Sequence, residues 1–240
     1  MDEQHEPSIL KGKDNLEMLF FRPNETYKNE ITLTKEEIEH LRSLRLNDIE
    51  KEIEVRDGLG NSYIFQVGAK SKSGKLIEKR ETVLSERKIG VASAIPKAQR
   101  LDFLLQKSTE IGITDFYFIN FFQSERRDLN IDRCNKIILE ACSQSKRHSI
   151  PSIKLYNSLE NFLKEHENVL LLNPDALQPL SENANWNLIP VIGPEGGFRK
   201  EELEMLENAK AKSYSLGTNI LRIETAHIFM TSLLSFQTLG

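Results

Sequence analysis

The chain has 240 residues, 39% of them hydrophobic and 28% charged, with a formal net charge of −4. That length carries one large domain or two modest ones with real cores, and no apolar run is long enough to span a bilayer. Two cysteines, Cys134 and Cys142, exclude a disulfide framework and lack zinc-ligand spacing, so no metal site is expected; with the acidic, polar start Met1–Pro7 they fit a reduced, cytoplasmic protein.

Residues 17–84 read as β-rich. Leu16–Phe21 is a strand candidate, and a helix is expected over Lys35–Arg45 with Thr34 as N-cap and Glu37 at the capping-box position. Ile53–Arg56 and Tyr63–Val67 flank the turn residues Asp57-Gly58-Leu59-Gly60-Asn61, and Ser71–Lys75 reads as a hairpin tip. Strand, helix and then several strands in so short a stretch predict a small barrel-like β domain.

From Ile89 the pattern becomes alternating strands and helices, with the boundary near residues 84–88. Gly90–Ile95 and Thr114–Ile119 read as strands. Lys97–Glu110 reads as a helix burying Leu101, Leu104, Leu105 and Ser108. A second helix is expected over Ile131–Arg147, with Ile131, Cys134, Ile138, Ala141 and Cys142 toward the core. Strands at Val169–Leu172, Ile189–Ile192 and Ser213–Leu216, and helices at Glu201–Ala209 and Thr225–Phe236, complete an α/β domain with a mostly parallel sheet. Such sheets bind ligands beyond the carboxyl ends of their strands.

Gly193-Pro194-Glu195-Gly196-Gly197 occupies such a strand end and precedes a helix whose first N–H groups are free. Alone, it reads equally well as a tight turn with no ligand. It is neither a G-x-G-x-x-G dinucleotide fingerprint nor a phosphate loop, and Glu195 suits a cationic or hydroxyl-bearing ligand better than phosphate. Arg222 and Glu224, beside the last helix, read in isolation as a surface ion pair. His227 reads as a helix residue, not a base. Net charge argues against indiscriminate nucleic-acid binding, but residues 81–160 carry 12 basic and 10 acidic groups, bunched at Arg126-Arg127 and Lys146-Arg147-His148. Each bunch is either a solvated surface or a phosphate contact.

Taken in order, three segments resemble the RsmE family, 16S ribosomal RNA uridine N3-methyltransferases of the SPOUT superfamily. They are Gln144-Ser145-x-Arg147 with Pro151, Gly193–Phe198 with Glu202, and Leu216-Gly217-x-x-Ile220-Leu221-Arg222-x-Glu224-Thr225-Ala226. Lys107, Glu110, Gly112 and Leu44-Arg45 before Asp57-Gly58 agree. Arg199 and Ile223 depart from it, standing where Ser and Thr are common, and Asp48–Lys51 replaces a usual Gly-Asp.

The resemblance implies a PUA-like barrel over residues 1–86 that helps hold RNA, and a trefoil-knotted methyltransferase domain over residues 87–240. It implies S-adenosylmethionine held by Leu172, Asn173, Gly193, Pro194, Glu195, Gly196, Gly197, Leu216, Gly217, Ile220, Leu221 and Thr225. Arg222 and Glu224 become the catalytic candidates, and Arg45, Arg126, Arg127, Gln144, Lys146 and Arg147 the RNA contacts. The implied partners are 16S ribosomal RNA or the small subunit, and a second copy of the chain with the active site at the interface. Another RNA or base atom, or a non-catalytic RNA-binding protein of the same fold, are the rival readings.

Overall fold

The computed structural model describes residues 18–180 and 187–237, so Leu16, Glu17 and the segment Met1–Pro7 lie outside it. The chain divides into two compact units between Thr82 and Val83.

The N-terminal unit comprises β1 (Met18–Phe21), β2 (Glu30–Thr32), α1 (Lys35–Ser43), β3 (Lys51–Arg56), β4 (Asn61–Val67) and β5 (Ser73–Glu81). Its sheet has the order β1-β3-β4-β5-β2, with β1 and β3 parallel and the other pairs antiparallel. Among the described residues the ladder ends at β1 and β2, so the expected barrel appears as a five-stranded sheet not closed by hydrogen bonds. The capping box is present: the Glu37 N–H donates to Thr34 Oγ1 at 3.2 Å, and the Thr34 N–H donates to Glu37 Oε2 at 2.8 Å. Ile38 and Leu41 of α1 join Ile53, Val55, Phe65 and Val67 in the core.

Two boundaries differ from expectation. Helix α1 stops at Ser43 because Arg45 takes left-handed backbone, φ 61°, and its N–H and that of Leu46 return to the carbonyls of Arg42 and Leu41. That is a Schellman motif with Arg at the position glycine usually fills. The hairpin tip is Gly68–Lys72 and β5 runs straight through Gly74. A Cβ there would lie 2.7 Å from Val67 Cγ2, so this glycine marks close packing and not a turn.

The C-terminal unit comprises β6 (Gly90–Ser93), α2 (Ala98–Ile111), β7 (Asp115–Ile119), α3 (Ile131–Gln144), β8 (Ser152–Tyr156), α4 (Leu159–Leu163), β9 (Val169–Leu172), β10 (Ile189–Ile192), α5 (Lys200–Asn208), β11 (Lys212–Tyr214) and α6 (Ile223–Phe236). Six parallel strands lie in the order β11-β9-β10-β6-β7-β8. Every residue of β6 and β9 is buried, as expected of strands covered on both faces. β8 and α4 carry little sequence signal: β8 is an edge strand, half exposed, and α4 is barely more than one turn.

Helix α3 buries Cys134, Ile138, Ala141 and Cys142, but Ile131, its first residue, is 42% exposed. α3 also ends early, at Gln144, in a second Schellman closure through Lys146 (φ 54°). A third, through Lys210 (φ 57°), ends α5. The strand expected at Ser213–Leu216 spans Lys212–Tyr214; Ser215 makes a parallel bridge to Pro179, and Leu216 and Gly217 belong to a loop.

Candidate functional site

A cleft of about 560 Å³ opens at the carboxyl ends of β9 and β10, where open parallel sheets bind ligands. Leu172 and Asn173 line one side, Gly193–Phe198 a second, and Leu216, Gly217, Asn219, Ile220, Leu221 and Arg222 a third. Ile223 and Ala226 close it from the first turn of α6. Its volume falls within the range of roughly 300–1,000 Å³ typical of small-molecule sites.

The glycine segment turns tightly, with the Gly197 N–H donating to the Pro194 carbonyl at 2.9 Å. Gly197 (φ 79°) and Gly217 (φ 122°) both take backbone that L side chains rarely adopt, and among the described residues no atom beyond the adjacent residues lies within 4 Å of a Cβ added to either. Two stretches of bare backbone therefore border the cleft with room for a ligand against them. Glu195 and Asp175 add carboxylates, and Leu203, Phe198, Ile220 and Leu221 add apolar surface. This donor set suits a ligand combining an apolar ring with a positive centre.

Glu202 fixes the turn from behind. Buried in the first turn of α5, it accepts from the Arg199 N–H at 2.8 Å and from the Phe122 N–H at 2.9 Å. One carboxylate thus caps a helix and ties the loop after β7 to the glycine segment. Arg199, the N-cap residue, makes no side-chain capping bond; its guanidinium lies 4.6 Å from the centroid of the Phe122 ring.

Arg222 occupies the N-cap of α6 and is exposed on the cleft lip. Among the described residues its guanidinium has no hydrogen bond or ion pair. Glu224 does not pair with it, contrary to the surface-pair reading. Glu224 is buried, 3.6 Å from Arg100 Nε at the start of α2, and its Oε2 has no hydrogen-bond partner among the described residues. Thr225 does not line the cleft: Ile223 and Ala226, three apart on one helical face, point there, and Thr225 faces solvent. His227 is fully buried, with its ring stacked on Phe116 and Nδ1 3.1 Å from Ser108 Oγ. Burial pushes its pKa down to about 3, so it is a neutral core residue.

The expected RNA contacts are scattered. Gln144 and Lys146 are exposed at the end of α3. Arg147 is anchored instead: Nη1 donates to the Thr109 carbonyl at 2.7 Å and Nε to the Ser149 carbonyl at 3.2 Å, and burial lowers its pKa. Arg127 Nη2 donates to the carbonyls of Phe121 and Phe122, and Arg126 Nε to that of Asp128, so both help shape the loop that carries them. Arg45 is exposed on the N-terminal unit. Sequence reasoning missed Arg100, Asp175, Asn219 and Phe122. Arg100 sits more than a hundred positions from its partner, and the others occupy loops of ordinary composition.

The model of the RNA methyltransferase domain family matches residues 84–235. The chain is 32% identical over 205 residues to ribosomal RNA small subunit methyltransferase E of Rickettsia conorii, covering 82% of this chain and 83% of that protein. It is 32% identical over 226 residues to the enzyme of the same name from Mesomycoplasma hyopneumoniae, covering 89% and 97%. In fold it is similar to the Neisseria gonorrhoeae ribosomal RNA small subunit methyltransferase E crystallised with S-adenosyl methionine, with a TM-score of 0.77 at 24% identity over 92% of this chain and 97% of that one. The chain therefore belongs to the ribosomal RNA small subunit methyltransferase E family of RNA methyltransferases.

Proposed function

We propose that the chain is an S-adenosylmethionine-dependent methyltransferase modifying N3 of one uridine in 16S ribosomal RNA. The observation that carries this reading is one cleft combining bare glycine backbone with an exposed guanidinium that has no partner among the described residues. Leu172, Asn173, Gly193–Gly197, Leu216, Gly217, Ile220 and Leu221 would hold the methyl donor, and the open sides of Gly197 and Gly217 leave room for its nucleoside. When bound, S-adenosylmethionine supplies an electrophilic methyl carbon.

Uracil N3 carries an imide proton, and losing it spreads negative charge onto the flanking carbonyl oxygens. Arg222 donates to one of them and stabilises the anion; one such donor in a water-poor site is worth about 3 kcal/mol. Glu224, held beside Arg100 and outside the lining of the cleft, would accept the proton through an intervening water. The target base leaves its stack to reach the cleft. Arg126, Arg127, Gln144 and Lys146 contact the RNA, and Arg147 contributes by holding the end of α3.

The N-terminal unit acts as a PUA-like RNA-holding module that includes Arg45. The insertion of β10 between β9 and β6 is compatible with a C-terminal trefoil knot. Phe229 and Phe236, two turns apart on α6 and both exposed, support a homodimer that covers them. No helix among the described residues is long and apolar enough to cross a membrane, which accords with action on ribosomal RNA in the cytoplasm.

The test is to incubate small ribosomal subunits with the chain and isotopically labelled S-adenosylmethionine, then analyse nucleosides by mass spectrometry. Label in N3-methyluridine is the expected result. Label in another nucleoside moves the reading to a different base. No label together with no donor binding by calorimetry returns the chain to a non-catalytic RNA-binding role.

A further inference from the structure

Arg199 is the residue at which the glycine motif departs from its family pattern, and capping does not explain it, since Glu202 serves the helix start. Its guanidinium instead lies over the ring of Phe122, 4.6 Å from the centroid. Phe122 is 54% exposed although its backbone is held firmly. Its N–H donates to Glu202 and its carbonyl accepts from Arg127. The neighbouring Phe121 packs edge-on against Phe198 at 5.4 Å. Gln123 lies so close to Gly196 that a Cβ there would meet its Oε1 at 2.6 Å. The loop is thus braced on the outer side of the same turn whose inner side walls the cleft.

From this juxtaposition we propose that Phe122 and Arg199 form a stacking site for an unpaired RNA nucleobase flanking the target nucleotide. The inference rests on the reading of the chain as an RNA methyltransferase. An exposed ring with a cation on one face presents its other face to a flat partner, and bases are the flat partners a single strand offers. Arg127, exposed in the same loop, supplies a positive charge for the phosphate of that nucleotide. A flipped target leaves its neighbours unstacked, and an aromatic surface near the cleft compensates for part of that loss. Duplex RNA exposes no base face, so the site selects single strands. Glu202 and Arg127 fix the position of the ring relative to the glycine turn, which makes the site a register mark and not only a source of affinity.

The experiment uses the full chain and a short fluorescently labelled single-stranded RNA of mixed sequence, with its duplex as comparison. Phe122→Ala and Phe122→Leu should each weaken single-strand binding roughly 5- to 150-fold, the range per base for lost aromatic stacking. Phe122→Trp should retain binding, and duplex binding and calorimetric S-adenosylmethionine affinity should be unchanged throughout. Arg199→Ser, which restores the common family residue, should lose part of the single-strand affinity without loss of thermal stability. Wild-type binding by Phe122→Leu would overturn the proposal, because apolar area without a π face would then suffice. A change in oligomeric mass by light scattering for Phe122→Ala would also overturn it, assigning the ring to contact with a second copy. If the unaltered chain binds the donor but neither the single strand nor small ribosomal subunits, the underlying functional reading fails with it; if it binds subunits but not the single strand, or binds the single strand and the variants match it, only the stacking site fails.

Discussion

His227 offers a quantitative check on the packing of α6. Its imidazole is fully buried, stacked on Phe116 and beside Ser108, and desolvation pushes its pKa down to about 3. In the unfolded chain an ordinary histidine binds its proton near pH 6.5. Between those values the unfolded state binds a proton that the folded state refuses, so stability falls as pH is lowered, by about 1.4 kcal/mol per pH unit well below 6.5. From about pH 7 to about pH 5, where most carboxylates remain ionised, this one group should remove about 2 kcal/mol of unfolding free energy. Urea denaturation followed by circular dichroism at both pH values measures it. His227→Gln lowers stability at either pH by removing a packed ring, but it should shrink the difference between the two by about 2 kcal/mol. His166, whose pKa burial lowers in the same direction, keeps some slope in the variant. Equal pH differences in the two proteins would mean that His227 ionises in the folded state, and the buried reading would be wrong.

Arg222→Ala should lower the rate of methyl transfer by roughly 10²- to 10³-fold while leaving the calorimetric affinity for S-adenosylmethionine within a factor of about two. Equal loss of both would make Arg222 a donor-binding residue. Arg147→Ala should destabilise the protein by about 1–3 kcal/mol through its two lost carbonyl contacts. Arg127→Ala should instead flatten the salt dependence of single-strand RNA binding by roughly 0.7 in the log–log slope, read by fluorescence anisotropy over a salt series. Lys210→Gly should raise stability by about 0.5–1 kcal/mol in thermal or urea melts, because an exposed lysine with φ 57° occupies a left-handed position that glycine takes without strain. A loss of stability there would show that the lysine side chain contributes more than its backbone costs.

The outline of the C-terminal unit was legible because its strands are continuous apolar runs and its helices carry clean periodicity. Val169–Leu172, Ile189–Ile192 and the buried face of α2 needed nothing else. β8 was not legible, because an edge strand with Ser152 and Lys154 exposed looks like loop. The ends of α1 and α3 were overextended for one shared reason: Arg45 and Lys146 close these helices in left-handed backbone where a reader looks for glycine. Gly74 failed in the opposite sense, a glycine required by packing inside a strand.

The site was legible in part. Glycines at strand ends pointed to the cleft wall, since their spacing reports backbone exposure directly. The partner of Glu224 was hidden, because Arg100 meets it only after α2 and α6 pack together. The same holds for Arg199, whose role depends on a loop about 75 positions earlier.

The central position of β10 has a consequence for how the protein comes to be. Val191 pairs with Ala92, about 100 positions away, and with Leu171 on its other side, so the last gap in the sheet is filled by a segment from late in the chain. Contacts of such long separation make folding slow and leave the edges of β6 and β9 open in the meantime. The residues that fill that gap also lead directly into the glycine turn. The glycine wall of the cleft therefore arrives in the same step that seals the sheet, and a chain stalled before it would be both aggregation-prone and without that wall.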